Sequence, residues 1–278
     1  MFGKSLLVAL DAASVSVATL GRGPRRRRLL GFRRVALQPG ALAPSPAGPN
    51  VVRREEVREA LSRALEEAAP AGGPATLVLP EGVARLAMIE APSGSEPRDY
   101  VRFRLATSLP WPATEAIVDV LPIRQGRVVG AAVRRATVAQ YEQLAASAGL
   151  AVERVTLAPL LALGALLGRK GRRGPNAVHA LLGDVAFCLA LIRDGDLAAL
   201  RCRRRDPSEG EGPRLLAEAA RTVRQAGDED GAVPLVVSGS GAGPLRESLG
   251  QAIVAGGLEG PGEWPESVEA AWLGGALA

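Results

Sequence analysis

The chain contains two similar runs of short strands, one at its start and one past its midpoint. The first run comprises residues 5–12, 14–20 and 28–37. The second run comprises residues 177–182, 185–193 and 197–202. Both consist of short, mostly apolar segments separated by tight turns, which predicts antiparallel meanders of three strands. Since helix and strand patterns follow each meander, we expect two α/β lobes that begin alike.

The stretch after the first meander predicts a helix and a buried strand. Val52, Val57, Leu61 and Leu65 lie at helical spacing with charges between them, which predicts an amphipathic helix over residues 51–69. Residues 75–79, which Pro80 follows, read as a buried strand.

The pattern between residues 82 and 150 is strand, helix, strand, strand, helix. This order is typical of a small α+β unit, and we interpret it as a subdomain inserted into the first lobe. An apolar helix over 158–167 and a glycine- and arginine-rich hinge at 168–175 follow. The predicted organisation is therefore a first lobe at 1–170 with its insertion at about 82–150, and a second lobe at 171–278.

Composition restricts the classes of function. With 47% hydrophobic residues the chain should fold, and its longest apolar stretch, 155–168, has the length of a core helix and not of a membrane span. The N-terminus does not resemble a signal peptide.

Two cysteines, Cys188 and Cys202, are too few for a disulfide framework, so we expect a cytosolic protein. The single histidine, His179, is expected to be a packed residue without a zinc site around it.

Positive charge is concentrated near the start of the chain, at Arg25–Arg28, Arg33, Arg34, Arg53 and Arg54. Such a cluster can serve phosphate backbones or anionic lipids. Aromatic residues make up only 3% of the chain, which leaves little for bases to stack on and argues against nucleic acid. The alternative is a solvated turn and strand edge, where charge discourages edge-to-edge pairing.

Several segments, in this order, resemble the PilM family of type IV pilus assembly proteins. The start, GKSLLVALDAASVSVATL, is similar to the PilM start, and residues 77–92, 102–123 and 128–163 are similar to its inserted subdomain. PLVVSGSGAGPLRESL and EAAWLGGALA resemble its adenosine-side glycine loop and closing helix. PilM belongs to the actin-like ATPase superfamily and is related to FtsA and to the cytoplasmic domain of GspL. The resemblance implies an α/β, actin-like (ribonuclease H-like) two-lobed fold with a small inserted α+β subdomain.

In actin-like folds, the tips of two β-hairpins hold the phosphates through Asp-x-Gly patterns. The first hairpin keeps Asp11 but has Ala13 in place of the glycine. The second has Leu181 where the acid belongs, and Asp184 lies one residue past Gly183, where strand alternation would aim it elsewhere. A one-residue misalignment of this hairpin is the open alternative. Because an acid that organises magnesium and water carries most of phosphoryl transfer, its loss predicts no efficient hydrolysis.

The candidate nucleotide-binding residues that the resemblance implies are Asp11, Ser14, Gly183, Gly239 and Gly241. Binding of ATP would be weak or lost, and magnesium would bind only together with ATP. We expect no catalytic residue and no metal ligand, since no serine–histidine–acid set can be assembled. No spacing among Asp11, Glu90, Asp119 and Asp184 suggests paired carboxylates. A binding role is therefore favoured over an enzyme.

The resemblance also implies a partner. In that family, the cytoplasmic N-terminal peptide of a PilN-like inner-membrane protein docks between the first lobe and the inserted subdomain, which here would involve residues 100–109. ATPase or platform proteins of the pilus machine are further expected partners. We expect a cytoplasmic protein, peripheral to the inner membrane through its partners, with no nucleic acid. The alternatives are a GspL-like component of type II secretion, an active actin-like ATPase or sugar-kinase relative, and, more weakly, a nucleic-acid binder.

Overall fold

The computed structural model describes residues 4–22, 27–92, 96–124, 126–167, 176–206, 211–227 and 233–239, together with residues 242, 245 and 249. The predicted hinge at 168–175 and the closing helix-like segment at 269–278 lie outside the described residues, as does Gly241. Of the glycine-rich turn, the structure describes Gly239.

The described elements of the first half are, in order, β1 (Lys4–Leu10), β2 (Ser14–Arg22), β3 (Arg27–Ala36), α1 (Arg54–Ala68), β4 (Ala75–Leu79), β5 (Ala84–Glu90), α2 (Pro97–Leu105), β6 (Ala116–Pro122), β7 (Arg127–Arg134), α3 (Arg135–Ser147), β8 (Val152–Leu157) and α4 (Ala158–Leu167). Those of the second half are β9 (Ala177–Leu182), β10 (Ala186–Arg193), β11 (Asp196–Arg204), α5 (Glu211–Gln225) and β12 (Leu235–Gly239).

A five-stranded sheet in the order β3-β2-β1-β4-β8 is built from the first half. The meander β1-β2-β3 is antiparallel, as predicted, while β4 runs parallel to both β1 and β8. Helix α1 packs on this sheet through Val57 and Leu61, which are fully buried. The prediction was wrong for Val52, which precedes the helix in a turn and is 55% exposed.

Strand β8 was not predicted. The apolar helix predicted over 158–167 is α4, with the same bounds, whereas Val155 and Thr156 just before it lie in β8, which pairs in parallel with β4. Two features of the sequence explain the boundary. The β-branched residues favour a strand, and Pro159 lies in the first turn of α4, where a proline costs no helical hydrogen bond.

The inserted unit forms its own three-stranded antiparallel sheet in the order β5-β7-β6. Helix α2 covers one face through Val101 and Leu105, and Trp111 completes that small core. The strand, helix, strand, strand, helix order is the one predicted. Helix α2 ends at Leu105, and a short 3-10 turn over Ala106–Ser108 follows it.

The second half forms a four-stranded sheet in the order β11-β10-β9-β12, with β12 parallel to β9. Helix α5 packs on it through Leu215, Ala219 and Val223. Cys188 and Cys202 face each other across β10 and β11, and their sulfurs are bonded. The number of cysteines gave no sign of this pair, because it depends on strand register.

His179 is buried in β9, as predicted, with 3% of its surface exposed. Among the described helices, none has both the length and the apolar character needed to cross a membrane.

Candidate functional site

The turns of two β-hairpins, one from each half of the chain, meet directly. The β1–β2 turn spans residues 11–13, and its backbone is closed by the Asp11 N–H, which donates to the Ser14 carbonyl over 3.0 Å. The β9–β10 turn spans residues 183–185. The Ala13 N–H donates across to Asp184 Oδ2 over 2.8 Å, so a carboxylate from the second hairpin caps the turn of the first.

The expected orientation of Asp184 was therefore wrong. Strand alternation does not apply to it, because β9 ends at Leu182 and Asp184 lies within the turn. The turn projects its side chain toward Asp11, and repulsion between the two charges contributes to the raised pKa of Asp11. The pairing of Asp11 with Asp184, which their spacing did not suggest, is a product of the tertiary fold.

Glu81 adds a third carboxyl group to the junction. It begins the short 3-10 turn that follows β4, it is buried, and its Oε1 atom has no hydrogen-bond partner. Its carboxyl group fills the space beside Gly183, where any Cβ atom would overlap it. The glycine thus makes room for the Glu81 side chain.

Sequence reasoning missed Glu81, although a signal was present. An acid directly after a buried strand lies at the carboxyl end of that strand, and the ends of adjacent parallel strands such as β1 and β4 converge. Asp11 and Glu81 both follow such strand ends.

Two of the three carboxyl groups, those of Asp11 and Glu81, have raised pKa values. Burial first, and then the charge of Asp184, raise the pKa of Asp11 to about 7. Burial, followed by the charge of Asp11, raises the pKa of Glu81 well above its usual range. Protonated carboxyl groups can lie close together without repulsion. In the described part of the chain, no group of three or more His, Cys, Asp or Glu side chains could hold a metal ion.

Arg205 fixes the second turn from behind. Its Nη1 donates to the Gly183 carbonyl over 2.7 Å, and its guanidinium forms an ion pair with Glu211 at the start of α5. The two side chains are only 6% and 17% exposed. Because a buried charge pair of this kind is costly to break, the position of the turn is tied to helix α5.

The other predicted site residues lie close to this junction. Ser14 is buried at the start of β2. Gly239 ends β12 with φ of 111° and packs against the Leu182 carbonyl, which leaves no room for a Cβ atom. The close approach of β12 to β9 therefore explains why this position is a glycine, and contact with a nucleotide is not needed to explain it.

A triphosphate with its magnesium does not fit these residues as they are arranged. Asp184 takes the backbone N–H of Ala13 that a phosphate would need. The cavity that Asp11 and Ser14 line has a volume of about 20 Å³, whereas ligand pockets usually measure about 300 Å³ or more. Two acids facing each other also repel a phosphate anion.

A separate groove of about 440 Å³ runs between the inserted sheet and the first lobe. Strand β6 borders it on one side and β8 on the other, and each is an edge strand of its sheet in the described structure. The lining is mostly apolar and comprises Leu79, Arg98, Ile117, Val118, Asp119, Ala131, Val133, Val138, Glu142, Val155, Thr156, Leu157 and Leu160. We call it the β6–β8 groove.

A second groove of about 1040 Å³ lies between β5 and β11. Arg127 bridges its two sides through an ion pair of 3.4 Å with Asp196. Tyr100 and Arg104 of α2 line this second groove, while Arg98 from the same helix lines the β6–β8 groove. The segment 100–109 was expected to line the groove between the first lobe and the inserted subdomain, which is the β6–β8 groove. Tyr100 and Arg104 of that segment line the second groove instead.

No protein-family model matches the sequence, and no curated protein matches it significantly. Solved structures do match. A chain of a PilM–PilN type IV pilus biogenesis complex superposes with a TM-score of 0.69 at 18% identity, over 98% of this chain and 90% of that one.

Two further structures extend the comparison. The cytoplasmic domain of EpsL, an inner-membrane component of the type II secretion system of Vibrio cholerae, gives a TM-score of 0.58 at 13% identity, over 99% of this chain and 94% of that one. A Bacteroides thetaiotaomicron protein of unknown function with an actin-like ATPase fold gives 0.57 at 12% identity, over 90% and 88% of the two chains. This chain has the actin-like ATPase fold. The predicted fold class is therefore confirmed.

Proposed function

We propose that this actin-like chain is an adaptor of type IV pilus assembly, which holds the N-terminal cytoplasmic peptide of a PilN-like membrane protein in the β6–β8 groove. The observation that carries the proposal is the groove itself, in which two edge strands from different sheets border one apolar channel. The structural similarity to the chain from a PilM–PilN complex supports the choice of partner.

The backbone of the groove suits an extended peptide. An edge strand presents unpaired N–H and C=O groups that a peptide can use as an added strand. Strand β6 has β7 as its neighbour and β8 has β4, so in the described structure each keeps one edge open. Main-chain hydrogen bonds to either edge would supply affinity with little dependence on the peptide's sequence.

Side chains of the groove add selectivity. Ile117 is 38% exposed and Leu160 is partly buried, which gives apolar contacts to alternate side chains of a bound strand. At the rim, Arg98 and Asp119 form an exposed ion pair of 3.1 Å. This pair can open toward a charged group of the peptide at little cost, because exposed ion pairs contribute less than about 1 kcal/mol.

In this proposal the adaptor works without ATP turnover. Asp184 accepts a hydrogen bond from the first hairpin turn, and Glu81 fills the space beside Gly183. Both contacts support the view that the nucleotide site of the fold has become an internal contact between the lobes. Weak nucleotide binding elsewhere in the cleft, with magnesium only as part of Mg-ATP, belongs to the alternative of an active ATPase. We place the protein in the cytoplasm, peripheral to the inner membrane through its partner.

A second candidate is a component of type II secretion. The similarity to the EpsL cytoplasmic domain over 99% of this chain supports it. The two candidates differ in the partner peptide that the groove would accept, so one binding assay with both peptides separates them.

The decisive experiment is fluorescence anisotropy with a labelled peptide from the N-terminus of the PilN-like protein of the same organism. Ile117→Glu places a charge in the apolar channel at an exposed position, and we expect it to weaken binding by about tenfold or more. Val52→Glu is the matched control, because Val52 is an exposed aliphatic residue outside the groove.

Wild-type binding that Ile117→Glu weakens and Val52→Glu leaves unchanged supports the proposal. Failure of the wild type to bind, or equal losses in both variants, overturns it. Preference for the peptide of the type II secretion partner assigns the chain to the second candidate.

A further inference from the structure

One strand of the first lobe combines exposed apolar side chains with exposed arginines. Strand β3 is an edge strand in the described structure. Leu29, Leu30 and Phe32 are 45%, 54% and 40% exposed, and Arg28 beside them is also exposed. We call these four residues the β3 surface. Half of the large hydrophobic residues that are exposed in the described structure thus lie within four positions of one strand.

The packing of β3 explains why these side chains remain outside. Gly31 lies against the Ala68 carbonyl at the end of α1, and Arg33 forms an ion pair of 3.1 Å with Glu67 of that helix. Alternation along the strand directs Phe32 to the opposite side. Leu30 has no partner on β2, because the register shifts between Thr19 and Leu20, and its side chain lies over Gly21.

The segment of sequence that contains the strand is strongly positive. Residues 12–54 contain nine arginines and no acidic residue. A patch of several exposed apolar side chains on a protein surface usually marks an interaction site, and its partner here must also be anionic. A second copy of this chain would bring arginines against arginines, which disfavours pairing along this edge.

We propose that the β3 surface docks on a membrane surface that contains anionic phospholipids. The leucines and Phe32 enter the boundary between headgroups and acyl chains, while Arg28 contacts lipid phosphates. Apolar insertion and electrostatic attraction add together in such binding. Arginine suits this position because its apolar stem lies along the lipid chains while the charge stays in water.

The location is compatible with the β6–β8 groove, although the proposal does not depend on that groove. β3 and β8 are the opposite edges of the same sheet, separated by four strand spacings or about 19 Å. A peptide that emerges from the membrane could reach the groove while β3 touches the lipid.

The test is co-sedimentation of the full chain, without any peptide, with vesicles of phosphatidylcholine alone or of phosphatidylcholine mixed with phosphatidylglycerol. We expect binding to the mixed vesicles only. Arg28→Gln should lower the partition coefficient by about fivefold, since an arginine near the surface contributes about that much. Leu30→Ser combined with Phe32→Ser should reduce binding at unchanged charge.

The matched control is Arg102→Gln combined with Phe103→Ser, which removes an arginine and an exposed aromatic from α2. It should bind like the wild type, and thermal melting should show that all variants are folded. No binding to mixed vesicles, equal binding to neutral vesicles, or an equal loss in the control overturns the proposal. A wild-type dimer in sedimentation equilibrium that Leu30→Ser with Phe32→Ser dissociates would instead assign the surface to a second copy. Since no peptide is present, the result is independent of the proposed adaptor role.

Discussion

Replacing Asp11 with asparagine should make the protein more stable at neutral and mildly alkaline pH. Burial, and then repulsion from Asp184, raise the pKa of the Asp11 carboxyl from 3.8 to about 7. When a pKa is higher in the folded state, the stability contributed by the protonated group is complete below the lower value and is lost as the pH rises through the higher one. The wild type therefore loses stability across this interval.

The magnitude follows from the two pKa values. Each factor of ten in proton affinity corresponds to about 1.4 kcal/mol, so the difference between 3.8 and about 7 corresponds to about 4 kcal/mol. Of this, about 3 kcal/mol is lost between about pH 5 and about pH 8. Asparagine keeps the oxygen that accepts the Ala12 N–H and carries no charge. The Asp11→Asn variant should still lose the stability that depends on Glu81, whose pKa is also raised, so its loss across this pH range should be smaller than that of the wild type.

Urea unfolding across this pH range measures the effect. Asp99→Asn serves as the control, because Asp99 is an exposed carboxyl on α2 paired with Arg102, and its replacement should leave the wild-type slope unchanged. An Asp11→Asn variant with the same slope as the wild type, or with lower stability at about pH 8, would refute the reasoning, since Asp11 would then be an ionised and well-paired group.

The remaining predictions concern the second hairpin turn. Gly183→Ala should destabilise the fold by about 2 kcal/mol, because the new Cβ overlaps the Glu81 carboxyl, and Glu81→Ala in the same chain should restore much of the loss. Urea unfolding of the single and double variants checks this, and an unaffected Gly183→Ala protein would contradict the packing. Arg205→Met should cost about 3 kcal/mol, because it leaves the largely buried Glu211 without its ion-pair partner. Arg214→Met, which breaks an exposed ion pair, should change stability by less than about 0.5 kcal/mol, and equal costs for the two would refute the role of Arg205.

Local patterns were enough to predict most of the elements. The two meanders, the inserted order of elements and the core positions Val57 and Leu61 follow from side-chain periodicity, because burial of one face imposes it on the sequence. Strand β8 escaped prediction because it is short, lies between two helices and merges with the apolar run of α4. Periodicity cannot separate such a strand from a helix.

The candidate site was predictable only in part. The resemblance selected Asp11, Ser14, Gly183 and Gly239, and all four lie at or beside the junction of hairpin turns. What those residues contact there could not be foreseen, because the contacts join segments that are far apart in the sequence. The pairing of Cys188 with Cys202 depends on register in the same way.

The central claim is that this actin-like chain binds its partner peptide without using nucleotide. The most direct test measures the Kd for the PilN-like peptide with and without Mg-ATP, while phosphate release is followed in the same samples. The account predicts one Kd under both conditions and phosphate release no greater than that of a protein-free blank. A Kd that changes with Mg-ATP, or sustained release of phosphate, would contradict it.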